Sequence, residues 1–294
     1  MIELILAVCC HLSIGMIFKH AARWHLDRMA LLTANYAAAL LVAVAFLGIN
    51  TQRVVGALSP SLGLLALALA TGALFIAGFF VFAWATEIAG MSLAIGVMRV
   101  SVVIPFLASW GLWGEVPTPA QGVGLGLAGA AFFLIARRDD TVPSDTAGPS
   151  GRGSLFGVLA LLFCAGGLVD VSMKTFDAVF AENNSRTLFI LLLFGVAFLM
   201  GLGFVIRTRR RHGIWPDRAT LGWGALLGLF NYGSVEFFLR AISKLSGPFV
   251  FPVNNIALVI GAALLGVYVW GERLTGVNWL GLGLAAGALV LLSL

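Results

Sequence analysis

The sequence Trp113-Gly114-Glu115 recurs 157 positions later as Trp270-Gly271-Glu272, and the residues after each copy agree as well. At the same offset, Gly124-Leu125-Gly126-Leu127-Ala128 is repeated as Gly281-Leu282-Gly283-Leu284-Ala285. Self-similarity at a fixed offset is typical of a duplicated structural unit. In a chain as apolar as this one, the repeat indicates a duplicated set of membrane helices.

The composition predicts which kind of helices these are. Hydrophobic residues make up 60% of the chain and charged residues only 11%, too few to cover the surface of a soluble domain. The apolar runs are mostly about 20 residues long, which matches a bilayer core. They predict an all-α polytopic membrane protein with ten transmembrane helices, here called spans 1 to 10, near residues 2–18, 30–48, 62–86, 91–113, 119–136, 154–175, 187–206, 220–241, 247–269 and 275–293.

A polar, Gly- and Pro-rich segment at 137–153 reads as a linker. It separates a first five-helix repeat, 1–136, from a second, 154–294. Because five is odd, the two halves insert in opposite orientations, which is a 5+5 inverted-topology repeat. Lys19 matches Lys174 at an offset of 155, and Gly90 matches Gly247 at 157, so the repeat extends beyond the Trp-Gly-Glu copies.

The charges and cysteines exclude several other classes. The net charge of +5 sits in short loops between spans, where it orients the protein and does not indicate nucleic acid binding. Loops after odd-numbered spans carry twelve Lys or Arg and the others five, which predicts both termini outside the cytoplasm. Cys9, Cys10 and Cys164 fall inside spans and read as small apolar residues, so no metal site and no cofactor is expected.

The Gly-Glu pairs that close spans 4 and 9, each followed by a Gly/Ala/Leu-rich span, resemble the EamA-type branch of the drug/metabolite transporter superfamily. The segments 101–105 and 251–255 are similar to a bacterial subgroup of that branch. The resemblance implies a multi-pass protein of the bacterial inner (plasma) membrane that moves small metabolites without ATP, often as export. It also implies both termini in the cytoplasm, against the charge count, and it gives no substrate.

Arg99 lies about eight residues into span 4, well inside an apolar run. A charge at that depth costs roughly 2.5–3.5 kcal/mol, so it normally faces a bundle interior or a wet cavity. One interpretation is a binding group for a carboxylate or other anion. The other is a structural ion pair or a clamp on backbone carbonyls.

Asn254 and Asn255 of span 9 align through the repeat with the positions next to Arg99. Mirrored depths in the two halves place the sites roughly 10 Å apart along the membrane normal, a distance that side chains and a small ligand can bridge. Pro248 and Pro252 are expected to distort the first turns of span 9 and expose carbonyls. The alternative is that the two asparagines only hydrogen-bond neighbouring helices.

Span 8 contributes Asn231, Tyr232 and Glu236, of which the last two share a helix face. Glu236 is a candidate proton-coupling group, because a carboxylate in an apolar setting titrates closer to neutrality. The alternative is a permanent salt bridge to Arg99, or to Arg240 one turn on. With Arg99 and the two asparagines of span 9, Asn231 and Tyr232 form the predicted substrate-binding set.

Near the span ends, Asp170 and Lys174 form a favourable i,i+4 pair, and Lys19 is the repeat mate of Lys174. The two lysines are expected to attract anions at the vestibules or to anchor the helices at the interface, with Asp170 beside them as a vestibule or structural residue. The motif acids Glu115 and Glu272 are expected to cap the next helix or set the turn. His11 and Asn35 are expected to hydrogen-bond between helices.

Together these patterns predict a secondary-active carrier for small polar metabolites, anionic or zwitterionic, that works by alternating access. Spans 4 and 9, with 1, 3, 6 and 8, are expected to surround a central cavity. Its partners would be the substrate, the lipid bilayer and protons, in a monomer or a homodimer. The alternative is a non-transporting membrane protein, an accessory subunit or a lipid-handling enzyme. The chain has no HExxH and no Gly-x-Ser-x-Gly, so an enzyme is not expected.

Overall fold

The computed structural model describes residues 1–49, 61–114, 116, 118–136, 152–180, 182, 184, 186–213, 215–244 and 247–294. Those residues are helical apart from short connections, and they contain no strand. The helices are α1 (Ile2–Arg23), α2 (Arg28–Ile49), α3 (Leu62–Ala89), α4 (Met91–Val100), α5 (Val103–Trp113), α6 (Pro119–Ala136), α7 (Arg152–Thr175), α8 (Arg186–His212), α9 (Arg218–Lys244), α10 (Gly247–Trp270) and α11 (Gly276–Leu292). A π-helical turn, Phe176–Phe180, extends α7.

The helices confirm the predicted class of multi-pass α-helical membrane protein. Seven helical runs, with α4 and α5 taken as one, are long and apolar enough to cross a bilayer, and α6 and α11 are shorter apolar helices. The helix α9 is not among the seven, because polar residues at 231–236 lower its mean hydropathy. The count of ten spans therefore stays a prediction. Residues 137–151 of the predicted linker and the motif acid Glu115 lie outside the described residues.

Predicted span 4 is interrupted at Ser101 and Val102, which form a turn between α4 and α5. The cause is Pro105, the third residue of α5, which has no N–H to donate to the carbonyl of Ser101 and whose ring crowds that carbonyl. The N–H of Ile104 donates to Ser101 O instead, at 2.9 Å. The break falls two residues after Arg99, whereas α10 is helical from Gly247 through Pro252.

The helices α6 and α11 pack antiparallel through duplicated glycines. A methyl group on Gly124 would lie 3.0 Å from Leu291 Cβ near the end of α11. A methyl group on Gly281 would lie 3.0 Å from the backbone N of Ile135 near the end of α6. Each glycine therefore lets the start of its own helix approach the end of the other.

The two sequence halves interleave and do not form separate bodies. The helix α1 packs on α9 and α10 of the second half, while α3 packs on α7 and α8. The helix α2 packs on α8 and α9, and α4 packs on α10. The first-half helices α1, α3 and α4 are thus held by partners from the second half, with the buried apolar core between them.

Candidate functional site

A cavity of about 210 Å³ lies between α1, α3, α4, α7, α9 and α10, in the middle of the bundle. These helices correspond to spans 1, 3, 4, 6, 8 and 9, the six expected to surround a cavity. Small-molecule pockets usually measure roughly 300–1,000 Å³, so this volume suits a small ligand. Most of the wall is apolar, with Phe75, Phe79 and Phe82 of α3 on one side.

Arg99 lines this cavity from the penultimate position of α4. Eight residues separate it from Met91, the first residue of α4, so it lies about 12 Å along the helix axis from that end. The Nε atom of its guanidinium is buried and, within the described part of the chain, has no hydrogen-bond partner. A buried, unpaired donor of a charged group is costly, and an anionic ligand in the cavity would satisfy it.

Asp170 of α7 lines the same cavity, and its charge and that of Arg99 act on each other across it. Two glycines one turn before Asp170 allow this approach. A methyl group on Gly166 would lie 2.8 Å from Ser101 Oγ, and one on Gly167 would lie 2.5 Å from Ile104 Cβ. The broken end of α4 therefore packs directly on α7, which brings Arg99 and Asp170 onto adjacent helices.

Besides Ser101, three further polar side chains complete the cavity wall. His11 of α1 has its Nδ1 atom 3.1 Å from the carbonyl of Ala7, one turn back on the same helix. Asn231 of α9 donates from Nδ2 to Asn35 Oδ1 of α2 at 3.2 Å. Ser234 donates to the carbonyl of Asn231 at 2.8 Å. The cavity thus offers one cation, one anion and a few neutral hydrogen-bonding groups in an apolar surround.

The structure places part of the predicted substrate-binding set away from this wall. Asn254 is buried in α10, and its Oδ1 atom has no hydrogen-bond partner among the described residues. Neither it nor the partly buried Asn255 lines the cavity, to which α10 contributes Leu258, one turn on. Tyr232 packs against the apolar core beside the cavity and does not line it.

The remaining candidates also lie outside the cavity. Glu236 accepts hydrogen bonds from Arg240 one turn on, with an Nη2–Oε1 distance of 2.7 Å, which is the second of its two predicted alternatives. Lys19 donates to Thr86 O at 3.3 Å and pairs with Glu272 near one end of the bundle. Lys174 lies one turn beyond Asp170 on α7.

The described residues contain no group of three His, Cys, Asp or Glu side chains that could hold a metal ion. Cys9, Cys10 and Cys164 are free thiols. Arg99 and Asp170 give the cavity two opposite charges with which it can bind charged groups of a ligand.

Sequence reasoning placed His11 among residues that join helices and Asp170 among residues near a span end. The signal that would have found Asp170 is the apolar segment after Lys174, which contains Ala178, Val179 and Phe180 and carries the span five residues further. No comparable signal existed for His11, because only the packing of α1 against α3 and α4 decides which way it faces.

Comparison with known proteins agrees with this architecture. The chain is 24% identical over 287 residues to an uncharacterized protein of Haemophilus influenzae, covering 95% of this chain and 93% of that protein. A protein of known crystal structure superposes with a TM-score of 0.57 at 13% identity, covering 99% of this chain and 94% of that one, which shows a shared fold. The model of the EamA-like transporter family matches residues 152–294 and confirms the predicted resemblance. The second part of the chain, residues 152–294, is therefore similar to the EamA-like transporter family.

Proposed function

We propose that the protein is a secondary-active transporter that carries small zwitterionic or anionic metabolites across the bacterial inner membrane by alternating access. The observation that carries the proposal is the central cavity, where Arg99 and Asp170 stand on adjacent helices. A carboxylate on the ligand would bind the guanidinium, and an ammonium group would bind Asp170. The phenylalanines of α3 would cover the apolar part of the ligand.

The packing of α6 and α11 supports an inverted repeat. Gly124 contacts Leu291, and Gly281 contacts Leu134, so the two contacts exchange under the 157-residue offset. Other helix pairs exchange in the same way when α1 is matched to α7, α2 to α8, α3 to α9 and α4 to α10. The pair α1–α9 matches α3–α7, and the pair α2–α9 matches α3–α8. Such a two-fold relation makes the inward-open and outward-open states similar in energy.

One set of contacts does not follow the two-fold relation. The helix α1 packs on α3 and α4, whereas α7 makes no comparably extended contact with α9 or α10 in the part of the chain that the structure describes. The cavity is therefore closed around α1 and less closely bounded around α7. This asymmetry is the kind expected of one state in an alternating cycle.

Proton coupling is part of the proposal, and the cavity favours Asp170 over Glu236 for it. Asp170 faces the ligand space, where a proton and a ligand ammonium would compete for the same carboxylate. The carboxylate of Glu236 is occupied by Arg240 outside the cavity. The role predicted for Glu236 stays a prediction, and the pH dependence of transport by variants of Asp170 and Glu236 decides between the two residues.

A thermal-shift assay on the purified full chain in lipid nanodiscs tests the ligand class. The ligands are leucine, N-acetylleucine, which has no ammonium group, and leucinamide, which has no carboxylate. We expect leucine to raise the melting temperature more than either derivative, because only leucine engages both charges. The panel is repeated with glycine and phenylalanine, to measure how the size of the ligand's apolar side chain changes the shift in melting temperature. Equal shifts for all three leucine compounds, or no shift with any amino acid, would contradict the proposed site.

A further inference from the structure

The carboxylate of Glu272, which follows α10, contacts both α4 and α1. These contacts lie at the end of the bundle where α1, α3 and α10 finish and α4 begins. The Oε1 atom of Glu272 accepts a hydrogen bond from the N–H of Met91 at 2.6 Å, and Oε2 accepts from the N–H and the hydroxyl of Ser92 at 3.2 and 2.8 Å. Lys19 Nζ lies 3.2 Å from Oε1, and it also donates to Thr86 O at 3.3 Å. We call these five residues the Glu272 clamp.

The backbone around the Glu272 clamp is shaped for this contact. Gly90 precedes α4 with a φ of 90°, and a methyl group there would lie 2.8 Å from Cδ of Glu272. Only glycine meets both conditions, because other residues avoid that φ and would also collide with the carboxylate. Gly271, with a φ of 65°, turns the chain after α10 so that the N–H of Glu272 donates to Gly266 O at 2.9 Å.

The arrangement is more specific than a simple ion pair. The first N–H groups of a helix have no partner inside it, and they carry the positive end of the helix dipole. A carboxylate accepts hydrogen bonds from these N–H groups, and its negative charge is attracted by the positive end of the dipole. The side chain of Glu272 is only 9% exposed, so little water competes for these contacts. The sequence predicted that the motif acid caps the next helix or sets the turn. That helix, α11, is capped by Thr275 and Asn278, and Glu272 caps α4 of the other half.

We propose that Glu272 is a positioning residue for transport, and that the Glu272 clamp both closes this end of the cavity and holds α4 in place. The helix α4 carries Arg99 about 12 Å further along its axis, so a shift of its first turn moves the guanidinium. Opening of the cavity toward this end requires Glu272 to release Met91 and Ser92. This step rests on the proposed transport function, whereas the closure of this end does not.

The polar character of the Glu272 clamp suits it to repeated opening. Its contacts are hydrogen bonds and one ion pair, which water can replace when the helices separate, whereas an apolar contact would expose surface. The repeat places Lys174, Glu115 and Gly247 at the sequence positions that match Lys19, Glu272 and Gly90.

Cysteine labelling measures the closure without a substrate. In a background with Cys9, Cys10 and Cys164 changed to alanine, Ala85→Cys places a thiol on α3 beside Thr86, at a position with 0% exposure. N-ethylmaleimide is added to the full chain in nanodiscs, and the labelling rate is read by mass spectrometry. We expect Glu272→Gln to raise the rate at least tenfold, because the neutral amide loses the ion pair and weakens the bonds to α4. A rate within twofold of the parent overturns the proposal.

Two controls separate closure from general loss of structure. Glu87→Gln removes an ion pair with Arg28 that lies at the same end and does not touch α4, so the labelling rate should not change. Ala197→Cys reports on α8, where residue 197 is fully buried and lies away from the Glu272 clamp. Its labelling should be equally slow with and without Glu272→Gln. If both reporters accelerate together, Glu272 only supports the fold and the proposal fails.

A charge reversal distinguishes a helix cap from an ion pair. The double change Lys19→Glu with Glu272→Lys keeps opposite charges at the two positions. We expect labelling to remain fast, because an ammonium group cannot accept the N–H groups of Met91 and Ser92. Restored protection would show that the pair alone closes the end and would overturn the positioning role. Since no ligand is used, the result is independent of the panel that tests the cavity.

Discussion

Removing both charges of the cavity separates a binding role from a structural one. In the double variant Arg99→Met with Asp170→Asn, the ligand space loses its cation and its anion, while the volumes of the side chains change little. Replacing buried opposite charges by neutral groups is often neutral or stabilises a protein by about 1–4 kcal/mol. Because Nε of Arg99 has no hydrogen-bond partner among the described residues, the change breaks no bond at that atom.

Binding should change in the opposite direction. Removing one partner of a buried, hydrogen-bonded charge pair costs about 2–5 kcal/mol, and each 1.4 kcal/mol is a factor of ten. We therefore expect the affinity for a zwitterion such as leucine to fall at least about 30-fold, while the melting temperature without ligand stays equal or rises. Both quantities come from one set of thermal-shift titrations in nanodiscs.

The matched control is Arg240→Met with Glu236→Gln, which removes an exposed i,i+4 pair from α9 outside the cavity. Such pairs contribute about 0.3–0.5 kcal/mol, so stability should change little and leucine binding not at all. The reasoning is refuted if the cavity variant loses several kcal/mol of stability, because the charges would then hold the bundle together. Undiminished leucine binding by the cavity variant would refute it equally.

Three further outcomes follow from the same contacts. Asp170→Asn should abolish the pH dependence of transport in proteoliposomes and Glu236→Gln should leave it intact; the reverse result would restore the coupling role to α9. Gly281→Ala should cost about 1–3 kcal/mol by overpacking α6 against α11, whereas Gly126→Ala, whose methyl group would meet nothing within 4 Å, should cost nothing in the same denaturation assay. Asp217 caps the start of α9, where its Oδ1 atom accepts a hydrogen bond from the N–H of Thr220 at 3.2 Å. Hydrogen bonding lowers the pKa of Asp217, so its stabilisation is present at neutral pH and lost as the pH falls through that lowered value. Asp217→Ala should flatten the acid side of a plot of melting temperature against pH, and an unchanged plot would contradict the cap.

The sequence predicted the depth of polar residues better than the direction in which they face. Depth follows from counting residues along an apolar run, and the structure places Arg99, near the end of α4, on the cavity wall. Asn254 and Asn255 have a similar depth, yet α10 turns Leu258 toward the cavity and not the two asparagines. That direction depends on how α10 packs on α1 and α4, and these contacts join distant parts of the sequence, such as Leu12 with Gly261 and Ser92 with Ala262.

A misjudged helix end explains why Asp170 was placed at a vestibule. Predicted span 6 stopped at residue 175, five residues after Asp170. The π-helical turn continues the same axis to Phe180, so Asp170 lies ten residues from the end and faces the central cavity. The break after Arg99 escaped prediction for a related reason. The sequence predicts a distortion at Pro248 and Pro252, but the break is at Pro105, whose missing N–H leaves the carbonyl of Ser101 without its usual helical donor.

The division between repeated and unrepeated residues fits a transport cycle. A carrier that alternates between two open states needs a closing contact at each end of its cavity, and an inverted repeat supplies two copies of the same residues at opposite ends. It needs one binding site in the middle, where two copies would compete for one small ligand. Glu272 and Gly90 have matching residues in the other half, and Glu272 binds the start of α4 and Lys19 of α1 at one end of the bundle. Arg99 has none, because Ile256 stands at its matching position. On this reasoning, substitutions at repeated positions should change the rate of opening, and substitutions at the unmatched position should change which ligands bind.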